Sequence, residues 1–250
     1  MAKYFPNSFP TVAYRFGDNE APVLFNNLTA YVDIVDQIKD NLSFYNKYTI
    51  QAGDRPDTLS FKLYDTVDYY WTFFLMNDHL RISGWPIPNY DILDTAKSKY
   101  PYRMVTTNTD ISQNFPIGQT VTGVTSGTSG VIKRKILELG QLIIDTGDEP
   151  NLVNFGTTEN INYTDVDGNI QTLTVIKESE QYNAVHHYED SDGVQQDITL
   201  FDFGNPSTLF TPITYRDRLE RRNEELKEII VLRPDAIIQV VSEFNKLMRQ

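Results

Sequence analysis

The residues in this chain with the widest chemical reach are its histidines and their acidic neighbours. There are three, His79, His186 and His187, and the adjacent pair is followed by Glu189 and Asp190. Imidazole and carboxylate together suit a divalent metal. Consecutive side chains on a strand point to opposite faces, so one ion could not readily take both rings. A solvated strand before the Ser191-Asp192-Gly193 turn is the expectation. Asp165-Val166-Asp167-Gly168-Asn169 is similar to a calcium loop but lacks the Asp-x-Asp-x-Asp-Gly spacing and the closing glutamate, which leaves a hairpin turn. The glycines from Gly123 to Gly130 are followed by no P-loop lysine and form no Gly-x-Gly-x-x-Gly, so no phosphate cradle is read. Serine is plentiful, yet no Gly-x-Ser-x-Gly elbow occurs. Cysteine is absent, which removes disulfides, thiolate metal sites and thiolate nucleophiles. Carboxylate pairs for glycoside cleavage are set by spacing in three dimensions, and no motif stands behind them here. No catalytic constellation is found. The expectation is a protein that is not an enzyme and takes no cofactor or metal.

At 250 residues the chain is long enough for one or two domains with a sizeable core. Its net charge of −12 is concentrated, since residues 113–212 carry 4 basic and 14 acidic side chains. Such a balance opposes non-specific nucleic-acid binding, which depends on neutralising phosphates. No apolar run approaches the roughly 20 residues that span a bilayer. The first residues lack the apolar core of a secretory signal. A soluble protein without nucleic-acid or membrane partners is expected. The 15 Tyr and 14 Phe suit a core, and equally a surface that ends in an interface.

The elements that must position any site are densest between Tyr48 and Pro88. Tyr48, Ile50 and Ala52 alternate with Thr49 and Gln51 as in a half-buried strand. Gly53-Asp54 turns the chain, Asp54 is placed to cap a helix, and Pro56 and Asp57 suit its first turn. Leu59 and Leu63 lie one turn apart on that helix. A second helix follows Asp65-Thr66, with Tyr70, Phe73, Phe74 and Asn77 at helical spacing and Trp71 and Leu75 widening the apolar arc. Asn77-Asp78 ends it. Gly84-Trp85-Pro86-Ile87-Pro88 then runs extended, since residues before proline avoid helical angles. The whole reads as a small βααβ module.

Tyr-x-Ile-x-x-Gly-Asp followed by a leucine helix and Asn-Asp resembles a LysM module. The longer succession GDRPDTL, LYD, YYWTFFLMND, GWP and Lys99-Tyr100 resembles a LysM-like baseplate wedge subunit of contractile-tailed, T-even-like bacteriophages. The resemblance covers roughly residues 20–103, and more loosely the last 40 residues. Where it leads one to expect Asp-Pro, the chain reads His79-Leu80-Arg81-Ile82-Ser83. It implies a structural component of the phage tail baseplate that joins neighbouring wedges through protein–protein contacts. Its partners would be other wedge subunits and adjacent wedges, in multiple copies around a ring. It would be located in the virion, and in the host cytoplasm during assembly. True LysM modules bind N-acetylglucosamine polymers, so a peptidoglycan-binding module is the alternative, its groove near Gly53-Asp54-Arg55-Pro56 and Asn77-Asp78-His79-Leu80.

Around that module the chain divides into four stretches. Residues 1–27 hold Pro6, Pro10 and Pro22 and form an extended arm, rich in aromatics including Tyr14 and Phe16. Residues 28–103 hold a helix over Leu28 to Leu42, the LysM-like module and a short helix from Asn89 to Tyr100. Residues 104–212 read as an inserted antiparallel β domain, a small sandwich or barrel, with hairpin turns at Asp167-Gly168 and Asp192-Gly193. Residues 213–250 hold a charged helix over Thr214 to Lys227, a strand over Glu228 to Leu232 and a terminal amphipathic helix with Ile237, Ile238, Val241, Phe244, Leu247 and Met248. This last stretch is read as packing on the N-terminal domain. The fold class is therefore α+β. Trp71, Phe73 and Phe74 are read as core. Arg55, Tyr69, Tyr70 and Trp85, with Ile237, Val241 and Phe244 on the terminal helix, are the candidate interface residues.

Overall fold

The computed structural model describes residues 11–17, 21–26, 43–147, 154–198 and 208–247. The helix read over Leu28 to Leu42, and Met248, lie outside the described residues. In chain order the first elements are β1 (Thr11–Tyr14), β2 (Val23–Asn26), β3 (Tyr45–Thr49), α1 (Pro56–Tyr64), α2 (Trp71–Met76) and α3 (Asp78–Ser83). Then come α4 (Ile92–Lys99), β4 (Arg103–Thr106), β5 (Thr120–Gly123), β6 (Ser129–Ile136), β7 (Gln141–Asp145) and β8 (Asn160–Thr164). After β9 (Ile170–Thr174), β10 (Lys177–Glu180), β11 (Val185–Glu189) and β12 (Gln195–Gln196), the chain ends on β13 (Thr211–Thr214), α5 (Tyr215–Glu225), β14 (Glu228–Leu232) and α6 (Ile237–Leu247). The fold is mixed α+β. It separates into two compact units, residues 1–89 with 223–250, and residues 90–222.

In the first unit β3 pairs antiparallel with β14, from Tyr45↔Leu232 to Thr49↔Glu228. The partner strand of β3 therefore comes from the far end of the chain. Gly84 to Pro88 forms no strand of any sheet, with Gly84 at φ 86° and a bend at Trp85. The reason is local: Pro86 and Pro88 have no N–H to give a ladder, whereas Glu228–Leu232 is a β-branched run. The first strand also lies earlier than its alternation predicts. Gln51 already belongs to a turn closed by the Asp54 N–H on its carbonyl (3.0 Å), with Gly53 at φ 89°.

Helix α1 opens with Pro56 in its first turn, and the Arg55 N–H bonds Thr58 Oγ1 at 2.9 Å. It stops where Asp65 turns left-handed (φ 57°) and returns its N–H to the Phe61 carbonyl. Asp54 does not cap this helix, contrary to expectation. Its carboxylate accepts the Tyr48 hydroxyl (2.8 Å) and the Gln51 N–H (3.0 Å), with Lys62 at 3.7 Å. Helix α2 is short, and Asn77 passes the chain directly into α3, a helix in the stretch that stands where Asp-Pro is expected. Leu80 on α3 is fully buried with Ile50, Leu59, Phe73, Ile229 and Val231. That burial gives the segment its reason to be helical, since its other apolar residue, Ile82, is exposed.

One residue ties the helices to the sheet. Asn77, 4% exposed, donates from Nδ2 to the carbonyls of Phe73 and Ile230, both at 2.8 Å. Its Oδ1 accepts the Ile230 N–H at 2.9 Å. The side chain thus pairs with β14 as a neighbouring strand would. Asn223 repeats the device on the proline run, taking the Ile87 N–H (2.7 Å) and donating to the Ile87 carbonyl (2.9 Å). The Tyr64 hydroxyl covers the Leu232 carbonyl in the same manner.

The second unit holds a seven-stranded antiparallel sheet in the order β10-β4-β7-β6-β5-β8-β9. Its edges, β9 and β10, are nearly one strand: Val175 bonds back to Glu159, and the next residue, Ile176, bonds to Thr106, the last residue of β4. A single bent run of chain therefore joins both edges and closes the sheet around one apolar cluster, as in a small barrel. Phe115, Ile132, Leu142, Ile144 and Ile161 are at its centre. The β8–β9 and β11–β12 hairpins turn at Asp167-Gly168 and Asp192-Gly193, where the dipeptides predict them. Both use one motif, Tyr-x-Asp-x-Asp-Gly-x-x-Gln, at 163–171 and 188–196. Asp165 takes the N–H groups of Asp167 and Asn169 and the Gln171 amide; Asp190 takes those of Asp192, Val194 and Gln196 in the same places. Glu159 does similar work on a loop. Burial raises its pKa, but N–H bonds from Ser126, Gly156 and Thr125 outweigh that and hold the carboxyl below its ordinary range.

Candidate functional site

Of the seven residues expected at an interface, most are occupied within the first unit. Arg55 is exposed at the start of α1 and pairs with Asp57 at 3.3 Å. Trp85 is half-buried, packs on Phe73 and Phe74, and donates its indole N–H to the Asp54 carbonyl at 2.8 Å. Tyr69 and Tyr70 are half-buried, Tyr69 edge-on to Tyr64. Ile237 and Phe244 are only 2% and 1% exposed, and Val241 is half-buried beside them. Phe244 covers the Trp71 ring at 5.3 Å. The terminal helix therefore places Ile237, Val241 and Phe244 on Met76, Leu232 and Trp71 of its own unit, while Ile238 is exposed. Trp71 and Phe73 are core as read, and Phe74 is half-buried at the margin.

Tyr14 and Phe16, which the sequence marks only as part of an aromatic arm, come together with Leu24 and Phe25 on the β1–β2 hairpin. Thr11↔Asn26 through Tyr14↔Val23 are paired, and Thr11 to Tyr14 and Val23 to Phe25 are exposed. Tyr14, Phe16 and Leu24 are 56%, 68% and 70% exposed. Phe16 contacts both Tyr14 (5.2 Å) and Phe25 (5.8 Å) edge-on, so the hairpin presents a continuous aromatic ridge. A two-stranded hairpin is marginal in water by itself, and clustered exposed aromatics mark contact surfaces. The signal in the sequence was the aromatic density of the first 27 residues, without the pairing that gathers it.

A second surface is an open groove of about 640 Å³ over the α2–α3 junction. Lys47, Asp78, His79 and Glu228 give it both signs of charge, with Met76 on its wall. Asn77 lines it but has its amide committed to Phe73 and Ile230.

The histidine pair is arranged otherwise than strand alternation predicts. A bulge between Val185 and His187 breaks the β11–β13 register, and the two Nδ1 atoms come within 3.0 Å. Bulges re-aim side chains in this way. His187 Nε2 lies 2.9 Å from Glu189 Oε1, and Arg221 Nη1 bonds both oxygens of Glu189 at 2.6 and 2.8 Å. Burial, then the charges of Arg218, His187 and Arg134, lower the His186 pKa to about 4. Among the described residues no group of three or more His, Cys, Asp or Glu is placed to hold a metal ion. The Asp165 carboxylate is saturated by turn donors, which is the chemistry of a hairpin. Among the described residues no helix is long and apolar enough to cross a membrane.

No protein-family model matches the chain, and no curated protein matches it either.

Proposed function

We propose that this chain is a structural component of a phage tail baseplate wedge, joining neighbouring wedges through protein–protein contacts, and not an enzyme. The observation that carries the reading is the β1–β2 hairpin, whose Tyr14, Phe16 and Leu24 lie open to solvent. The succession of β3, α1 and α2 with β14 as second strand is compatible with a LysM-like module used as an adaptor. The partners are other wedge subunits and adjacent wedges, in multiple copies around a ring. The setting is the virion, after assembly in the host cytoplasm. Repetition around such a ring multiplies individually weak contacts through effective concentration. The β-rich second unit lies at the periphery of the assembly in this reading.

Light scattering on size-exclusion fractions, with the chain alone and mixed with wedge subunits, tests this. A monomer that shifts into a stoichiometric complex supports the adaptor, and a chain that ignores those subunits overturns it. The groove over the α2–α3 junction favours one alternative, a peptidoglycan-binding module. Sedimentation with purified peptidoglycan, lost on substitution of His79 and Asp78, would establish that instead.

A further inference from the structure

The histidine pair of the second unit belongs to a hydrogen-bonded chain whose direction is forced. At one end Arg218 Nη1 stands 3.2 Å from His186 Nε2. A guanidinium has no acceptor, so His186 Nε2 must accept, and its proton must sit on Nδ1. His186 Nδ1–H then donates to His187 Nδ1, which is bare, and His187 carries its proton on Nε2. That proton goes to Glu189 Oε1, which Arg221 holds from the other side. The sequence of donors runs Arg218 to His186 to His187 to Glu189, with Arg221 closing it. Helix α5 supplies both ends and β11 the middle.

We propose that this chain is an acid-sensitive latch: two adjacent neutral histidines of opposite tautomer hold the first turns of α5 against β11, and a proton on either histidine opens it. A protonated His186 cannot accept from Arg218 and sets a second cation beside it. A protonated His187 turns an N–H toward the His186 Nδ1–H. Tyr215, at the head of α5, meets its ring edge-on at 4.8 Å and rests in turn on Tyr100. Arg134 on β6 adds positive charge. Asp217 on α5 is taken by the Thr214 N–H and hydroxyl. Among the described residues no carboxylate bonds His186 directly.

The direction follows from linkage. His186 is held at about 4 when folded, below its ordinary 6.5, so its part of the latch is intact above pH 6.5 and lost as pH falls toward 4. Glu189, held low by Arg221 and His187, is lost in the same direction.

The test is long-range ¹⁵N–¹H spectroscopy of the full chain's histidines at pH 7.5, with hydrogen exchange of the α5 amides from pH 7.5 to 4.5. The expected result is Nδ1–H on His186 and Nε2–H on His187. Protection of α5, corrected for intrinsic exchange, should fall by up to about tenfold per pH unit below 6.5. His186→Gln keeps one acceptor and one donor without titrating, and should flatten that profile. Nε2–H on both rings overturns the proposal, as does an unchanged pH profile in His186→Gln. If that variant does not fold, the tautomers of the unaltered chain still decide.

Discussion

In the first unit the contacts that close the fold join the two ends of the chain, whereas in the second many strand pairs join successive strands, with β4–β10 the pair of longest reach. Asn77 reaches Ile230 across 153 positions, Tyr64 reaches Leu232 across 168, and Asn223 reaches Ile87 across 136. In the second unit β5–β6, β6–β7, β8–β9 and β11–β12 are successive strands joined by short turns. Asp165 and Asp190 close two of those turns from within six residues. The difference has a consequence for folding. A unit of local hairpins pays loop-closure entropy in small steps, while one needing both chain ends must bring them together before its sheet exists. The second unit is one continuous stretch, residues 90–222, while the first is made of two stretches, residues 1–89 and 223–250.

The sharpest way to break this comparison is to cut the chain. Residues 90–222 made alone should keep a cooperative thermal transition and dispersed amide signals. Residues 1–89 alone should show neither, because β14 and α6 are missing. Two folded fragments, or none, would erase the distinction.

Next in size is Asn77→Ala, which leaves the Ile230 N–H and carbonyl and the Phe73 carbonyl without their side-chain partner. It should cost about 3 kcal/mol in the first unit and leave the second unit's transition in place. Urea titration followed by probes in each unit separates the two. A smaller loss, about 1–2 kcal/mol, is expected for Glu159→Gln in the second unit, where a charged acceptor of loop N–H bonds becomes neutral. Because the folded Glu159 titrates below its ordinary 4.5, its contribution is present above that pH and fades as pH falls below it. The variant should therefore lose part of the acid dependence seen in the parent between pH 5 and 3 (about the range of a displaced carboxylate).

The smallest stability effect belongs to the hairpin. Tyr14→Ser with Leu24→Ser should change unfolding by less than about 0.5 kcal/mol, since both side chains are exposed. If the hairpin is a docking surface, the same pair should abolish recruitment into a wedge complex. A stable variant that still assembles would remove the hairpin from the interface.

Much of the second unit was legible in the sequence because its determinants are local. Asp-Gly dipeptides at 167–168 and 192–193 specify turns by their own backbone preferences, and the strands on either side follow. The histidine pair was misread for the opposite reason. Alternation is a rule of regular strands, and the bulge that suspends it arises from how β11 meets β13. Among the candidate interface residues, side-chain type pointed to Trp85, Ile237 and Phe244, but type does not say whether an apolar ring faces a partner or its own core.

What the sequence alone determined is the alphabet of local events: the mixed α+β class, the Pro56 helix start, the turn dipeptides, the absent thiol chemistry and the acidic middle stretch. These depend on backbone preferences and charge within a few residues. Only the tertiary structure decided that β3 pairs with β14, that Asn77 and Asn223 act as surrogate strands, that Leu80 makes a helix of 78–83, and that two neighbouring histidines meet. Each is a choice among partners of similar chemistry at long separation, and it is settled by which arrangement buries apolar surface while leaving no backbone group unpaired.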